Sequence, residues 1–188
     1  MEDKWNKKNA LRMLLYTLLY VAASVIVCVL GSVHGMMFVC YQITAAILVT
    51  GVAGKAFDCV KAPGAAACLG LGMLLTFFLI RDANLWHCIP VIVIAALAEI
   101  VRGICKYHSP GNLIASVIMS FSTFGYYGQI WFNRDYTYEC AVEEMPAGYA
   151  ETLMQCSPGW AFPAVVLAGI ILSVIIYRIA AKLFRFSA

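Results

Sequence analysis

One stretch of this sequence sets terms for all the rest: residues 131–160, WFNRDYTYEC AVEEMPAGYA ETLMQCSPGW, the only long polar interval in a chain otherwise apolar almost from end to end. Asp135, Glu139, Glu143, Glu144 and Glu151 supply half of the chain's 10 acidic residues. Such a segment cannot lie in hydrocarbon, where no water is present to satisfy its polar groups. It reads as an aqueous loop over 132–160 between two membrane helices, and the side it occupies fixes the side of every other loop.

The remainder is apolar enough to belong in lipid. Hydrophobic residues make up 63% and charged residues 12%, and the mean hydropathy of +0.84 lies beyond the soluble range. The 188 residues hold about six spans of roughly 20 residues each, and no separate soluble domain. The first apolar run has full span length and lacks a small-residue cleavage site, so it reads as a retained helix and not as a signal peptide.

The expected spans are 11–30, 36–53, 63–80, 85–101, 112–130 and 161–180, joined by short polar turns. With the N-terminus in the cytoplasm, Lys4, Lys7, Lys8, Arg12, Lys55, Lys61, Arg102, Lys106, Arg178, Lys182 and Arg185 fall inside, while Arg81 and Arg134 fall outside. That asymmetry follows the positive-inside rule. The expectation is an all-α six-helix transmembrane bundle, one domain over 1–188, with both termini cytoplasmic and the long acidic loop external.

Catalytic constellations are missing. HExxH and GxSxG do not occur, and Gly51–Lys55 is too short for a phosphate loop and lacks a following Ser or Thr. The chain reads as a non-enzyme with no cofactor. Cys140 and Cys156 lie in the external segment; a disulfide between them would close a loop worth about 3 kcal/mol in the chain-entropy model, and two free thiols are the alternative. The other six cysteines form no CxxC pair, which argues against a redox or zinc site.

The remaining polar and aromatic chemistry gathers at the outer ends of the spans. His34 falls in the first external turn, and Arg81, Asp82, Asn84, Trp86 and His87 in the second. Tyr126, Tyr127, Gln129, Trp131, Asn133 and Arg134 mark the outer end of the fifth span, and Trp160 the start of the sixth. These residues either converge on a ligand pocket or form an interfacial aromatic belt. Imidazoles have no place in a belt, which favours the pocket for His34 and His87. Arg81 and Arg134 either pair with the adjacent Asp82 and Asp135 or meet an anionic ligand group. Gln42, about two turns below the outer surface, serves an interhelical hydrogen bond or the ligand. Glu99 and Arg102, three apart, suit one helical face, as a structural pair or a docking contact. Rows of small residues, Ser24/Cys28/Gly31/Gly35 and Ala62/Ala66/Gly70 beside Gly64/Cys68/Gly72, permit close helix packing.

Three segments carry a resemblance: Trp131-Phe132-Asn133-Arg134-Asp135, then Gly148-Tyr149-Ala150-Glu151-Thr152-Leu153-Met154, then Ser157-Pro158-Gly159-Trp160-Ala161-Phe162-Pro163. In this order they resemble the substrate-binding S components of energy-coupling factor (ECF) transporters, and more closely the Trep_Strep group, also called the MptD type. Two places depart from that pattern: Asn84-Leu85-Trp86-His87 stands where relatives often carry a Gly-His-Gly-Trp-like run, and span one lacks an AxxxA motif.

The resemblance implies a multi-pass protein of the cytoplasmic membrane that captures a small-molecule substrate at the outer face. It implies as partners a transmembrane coupling subunit and two ATPase subunits, besides membrane lipid, and no nucleic acid. The implied substrate contacts are drawn from His34, Gln42, Arg81, Asn84, Trp86, His87, Tyr127, Gln129, Trp131, Arg134 and Trp160, with at least one arginine and one histidine on the ligand. The alternatives are a non-transport six-helix scaffold or assembly protein, and a self-sufficient secondary transporter, for which the chain lacks evident internal halves.

Overall fold

The computed structural model describes residues 5–186. Among them every regular element is a helix: α1 Lys7–Val33, α2 Gly35–Val39, α3 Tyr41–Cys59, α4 Ala65–Leu79, α5 Leu85–Ile104, α6 Ser109–Met119, α7 Phe124–Tyr127, α8 Gln129–Phe132, α9 Arg134–Glu144, α10 Tyr149–Cys156 and α11 Ala161–Leu183. Three of these, α1, α5 and α11, are long and apolar enough to cross a membrane; α4 is a shorter apolar helix.

The burial pattern is that of a protein dissolved in lipid. Large aliphatic side chains point outward: Leu11, Leu15 and Leu18 on α1, Ile89, Val93 and Ile100 on α5, Leu167, Ile171 and Ile175 on α11 are all exposed. The interior is built from small residues instead. Ala45, Ala46, Ala53 and Ala56 line α3 with no exposed surface, which lets α1, α6 and α11 pack around it as a central post. Gly70 and Gly72 of the small-residue rows are packed within the bundle. A Cβ on Gly72 would collide with Thr17, and one on Gly70 would come within 2.7 Å of Ala95 Cβ, so α4 is wedged between α1 and α5.

The helix ends follow local chemistry. Asn6 and Asn84 cap α1 and α5 by accepting from the main-chain N–H of Asn9 and His87. The end of α4 is a left-handed turn: Arg81 has φ +62°, its N–H reaches Phe78 O at 3.3 Å, and Asp82 N–H reaches Phe77 O at 2.9 Å. This is a Schellman termination with arginine where glycine is the usual residue.

Two expected spans are not single helices. The second breaks at Cys40, between α2 and α3, and α3 runs on through Lys55 to Cys59, so Lys55 lies in the helix and pairs with Asp58 at 3.1 Å. The fifth, expected as one helix over 112–130, stops at Met119 and resumes as the one-turn α7 and α8. The cause lies in residues 120–128, SFSTFGYYG. Ser120 turns its hydroxyl back to Val117 O at 2.7 Å, and Gly125 sits so close to Trp86 O that any side chain there would collide with the main chain. The expected loop 132–160 carries two helices of its own, α9 and α10.

Arg102 is the largest fully buried side chain. It donates to Val60 O at 2.8 Å, to Ala62 O and both Glu99 oxygens at 3.4 Å, and to Asn112 Oδ1 at 3.3 Å. Glu99 in turn accepts from Ala66 N–H at 2.8 Å. The pair therefore ties the α3–α4 connection to α5 and α6 inside the fold, and no part of the Arg102 side chain is left exposed for a partner to dock on.

Candidate binding cavity

A cavity of about 580 Å³, within the range of small-molecule sites, opens at the end of the bundle where α1 finishes and α5 begins. Its wall follows helical spacing. Ser24, Cys28 and Ser32 come one turn apart on α1, and Met73, Thr76, Phe77 and Ile80 form one face of α4. Phe38 and Tyr41 enter from α2 and α3; Asp82, Asn84 and His87 from the α4–α5 turn; Tyr126 and Gln129 from α7 and α8. Across the mouth lie Tyr136, Thr137, Cys140 and Glu144 of α9, then Tyr149 and Leu153 of α10.

The centre of the wall is an aromatic stack. His87 lies on Tyr126 with ring centroids 3.9 Å apart and planes 16° from parallel, and Phe77 meets Tyr126 edge-on at 5.7 Å. Tyr126 donates its hydroxyl to Asp82 Oδ2. His87 Nδ1 lies 3.0 Å from Asp82 O, 2.9 Å from Asn84 Nδ2 and 3.3 Å from Asp82 Oδ1. Asp82 thus faces the imidazole and the phenol, not Arg81.

Most hydroxyl protons on this wall are spent within the protein. Ser24 donates to Tyr20 O at 3.0 Å, Ser32 to Cys28 O at 3.2 Å and Thr76 to Gly72 O at 2.9 Å. Thr137 donates to Asn133 O at 2.9 Å, and Tyr149 to Gly31 O at 2.7 Å. Burial pushes the Tyr149 phenol up to about 12, so it remains a donor. Gln129 gives its amide N–H to Gly125 O at 2.6 Å, while its Oε1 is buried without a partner.

A family model for hypothetical bacterial integral membrane proteins, Trep_Strep, matches residues 7–186. The chain belongs to the Trep_Strep family. No curated protein and no solved structure matches it.

In this Trep_Strep chain the segments around 131–135 and 157–163 meet as a clasp beneath the cap. Arg134 donates to Ser157 O at 3.0 Å, Ser157 Oγ at 3.2 Å and Met154 O at 2.8 Å, placing a cation at the carbonyl end of α10, where the helix dipole favours it. Trp131 Nε1 donates to Pro158 O at 3.2 Å, and its ring lies 5.3 Å from that of Phe162. Phe132 meets Phe162 edge-on at 5.2 Å.

Of the residues singled out at the outer ends of the spans, Asp82, Asn84, His87, Tyr126 and Gln129 border the cavity. Arg134 and Trp131 serve the clasp instead. Arg81 occupies the left-handed turn, exposed and off the cavity wall. Trp86 and Trp160 are 48% and 73% exposed and also stand off the wall. His34 caps α2, its Nδ1 accepting from Met36 N–H at 3.1 Å. Gln42 and Tyr127 lie deeper, with Tyr127 donating to Gln42 Oε1 at 2.9 Å. Gln42 then donates to Ser120 Oγ at 3.0 Å, Ser173 to Ser120 at 3.1 Å, and Thr50 to Ser173 at 3.2 Å. This buried chain of side chains joins α3, α7 and α11. Cys140 borders the cavity, and neither it nor Cys156 is in a disulfide; both are free thiols.

Proposed function

We propose that this protein is the substrate-binding S component of an ECF-type importer: a six-span subunit with cytoplasmic termini that captures a small solute at the outer face. The observation that carries the reading is the cavity of about 580 Å³ under a helical cap, in an integral membrane protein whose polar interval is spent on building that cap. A scaffold has no use for an aromatic, hydrogen-bonding chamber closed by two dedicated helices. The solute enters by displacement of α9 and α10, which the clasp at Arg134 and the Tyr149–Gly31 bond hold in place, and binding closes them again. Energy for release comes from partners, a transmembrane coupling subunit with two ATPases, since the chain offers no phosphate loop of its own.

Co-expression of the tagged chain with the coupling subunit and ATPases of the same cell tests this. The expected result is a stable four-part complex whose ATP-driven solute uptake in vesicles is lost when the chain is omitted. A chain that brings down no partner even when the coupling subunit and ATPases are co-expressed, or vesicles that take up solute without the ATPases, would overturn the importer reading; uptake by the chain alone would make it a secondary transporter.

A further inference from the structure

We propose that the cavity takes a small planar organic cation bearing its own N–H donors, such as an aromatic amidinium or guanidinium, and excludes anions. This rests on reading the cavity as the substrate site and assigns the chemical class of that substrate. Three independent features of the wall lead to it.

The first is charge. Asp82 and Glu144 border the cavity, and among the described residues no lysine or arginine does. The two arginines at this end of the molecule are engaged elsewhere or turned away, Arg134 on the carbonyls of α10 and Arg81 in its turn. An anion entering here would meet two carboxylates, and the imidazole of His87, the one group among the described lining residues able to carry positive charge, already faces Asp82 at 3.3 Å.

The second is the direction of the hydrogen bonds. With the wall's hydroxyl protons donated inward, what is left for a ligand is acceptors. Gln129 offers no donor either. It is 7% exposed, its amide N–H is fixed on Gly125 O, and its Oε1 has no partner among the protein groups. That bond leaves no freedom to flip the amide and offer a donor. That oxygen has no surface open to the cavity, so the acceptors that face an occupant are the carboxylates of Asp82 and Glu144.

The third is the aromatic lining. Tyr126, already stacked with His87, and Tyr136 on the cap present rings to the same space as the two carboxylates. Ring faces and carboxylates attract the same ligand, a flat cation held by stacking and cation–π contact.

Three probes of one shape separate the possibilities: benzamidine, benzamide and benzoate, cationic, neutral and anionic, titrated calorimetrically into the purified full-length protein. Benzamidine is expected to bind at least about tenfold more tightly than benzamide, as loss of a charge-assisted contact implies, and benzoate not at all. Asp82→Asn should weaken benzamidine roughly ten- to a hundredfold. Glu144→Gln, on the exposed face of the cap and harmless to folding, should weaken it roughly two- to fivefold. Preference for benzoate, binding of none of the three, or benzamidine binding indifferent to both carboxylate substitutions would each overturn the proposal. The titration needs no partner subunit. Cation binding by a chain that fails to form a coupling complex on co-expression would therefore sink the importer reading alone, and a working complex that binds benzoate would sink the cation alone.

Discussion

Tyr149 donates its hydroxyl to the carbonyl of Gly31 at 2.7 Å, across 118 positions of sequence. The bond fastens the first residue of α10 to the last turn of α1, and with it one edge of the cap to the wall of the cavity. Gly31 is buried at that point, and the ring of Tyr41 fills the space that a Cβ there would need.

Tyr149→Phe should cost about 1 kcal/mol, the usual net worth of one such bond, and lower the melting temperature by roughly 2–4 °C for a chain of this size. The pH dependence has a definite sign. The phenol rises from 10.0 to about 12 on folding, so the folded state holds the proton more tightly than the unfolded one. Its stabilisation is complete below pH 10 and falls as the pH climbs towards 12. Melting curves of wild type and variant should therefore converge over that interval; a constant gap would show that the bond is not what separates them.

Arg81→Gly should stabilise the protein by about 0.5–1 kcal/mol, because glycine enters the left-handed region without the penalty that arginine carries there. Benzamidine affinity should not change, since Arg81 is off the wall of the cavity. A loss of affinity on this substitution would return the arginine to the site.

Cys140 and Cys156 should both react with a water-soluble maleimide, and reductant should alter neither the electrophoretic mobility nor the melting temperature. A saturating cavity ligand should slow labelling of Cys140, which borders the cavity, and leave Cys156 as it was. Equal protection of both thiols would indicate closure of the whole cap in place of occupancy.

Arg102→Met should be among the most damaging single changes, at about 3–5 kcal/mol, because it leaves the Glu99 carboxylate without its countercharge and the Val60 and Ala62 carbonyls unpaired. Arg102→Lys should not restore stability, since one ammonium cannot reach all the acceptors the guanidinium fork satisfies. The yield of monodisperse protein in detergent measures both; normal yield from the Met variant would mean that the tie is dispensable.

Hydropathy exposes the bundle because lipid-facing residues must be apolar whatever the fold. It passes over the break in the fifth span, since Phe121, Phe124 and Tyr126 keep the local average high while Ser120, Ser122 and Gly125 end the helix. His87, Asn84 and Gln129 stand out in the sequence as polar groups at the ends of apolar runs. The cap residues are harder to see there. Their signal is the four-residue rhythm Tyr136/Cys140/Glu144 and Thr137/Ala141/Met145, one helical face within a stretch whose charge suggests a plain loop. Arg81 and Arg134 attract attention because cations are scarce on that side, yet a helix end accounts for each: backbone geometry for Arg81, free carbonyls for Arg134. Ser24, Cys28 and Ser32 read equally well as packing or as wall, and only the position of α9 decides between them.

The side-chain relay from Tyr127 through Gln42, Ser120 and Ser173 to Thr50 lies wholly in the dry interior, where no solvent can stand in for a broken link. Sliding α3, α7 or α11 past one another would strand several polar atoms at once. These helices are thereby tied into one cup that resists being parted. On the importer reading proposed above, passage of a solute is then left to the rim: the short cap opens, or the cup tilts as a whole.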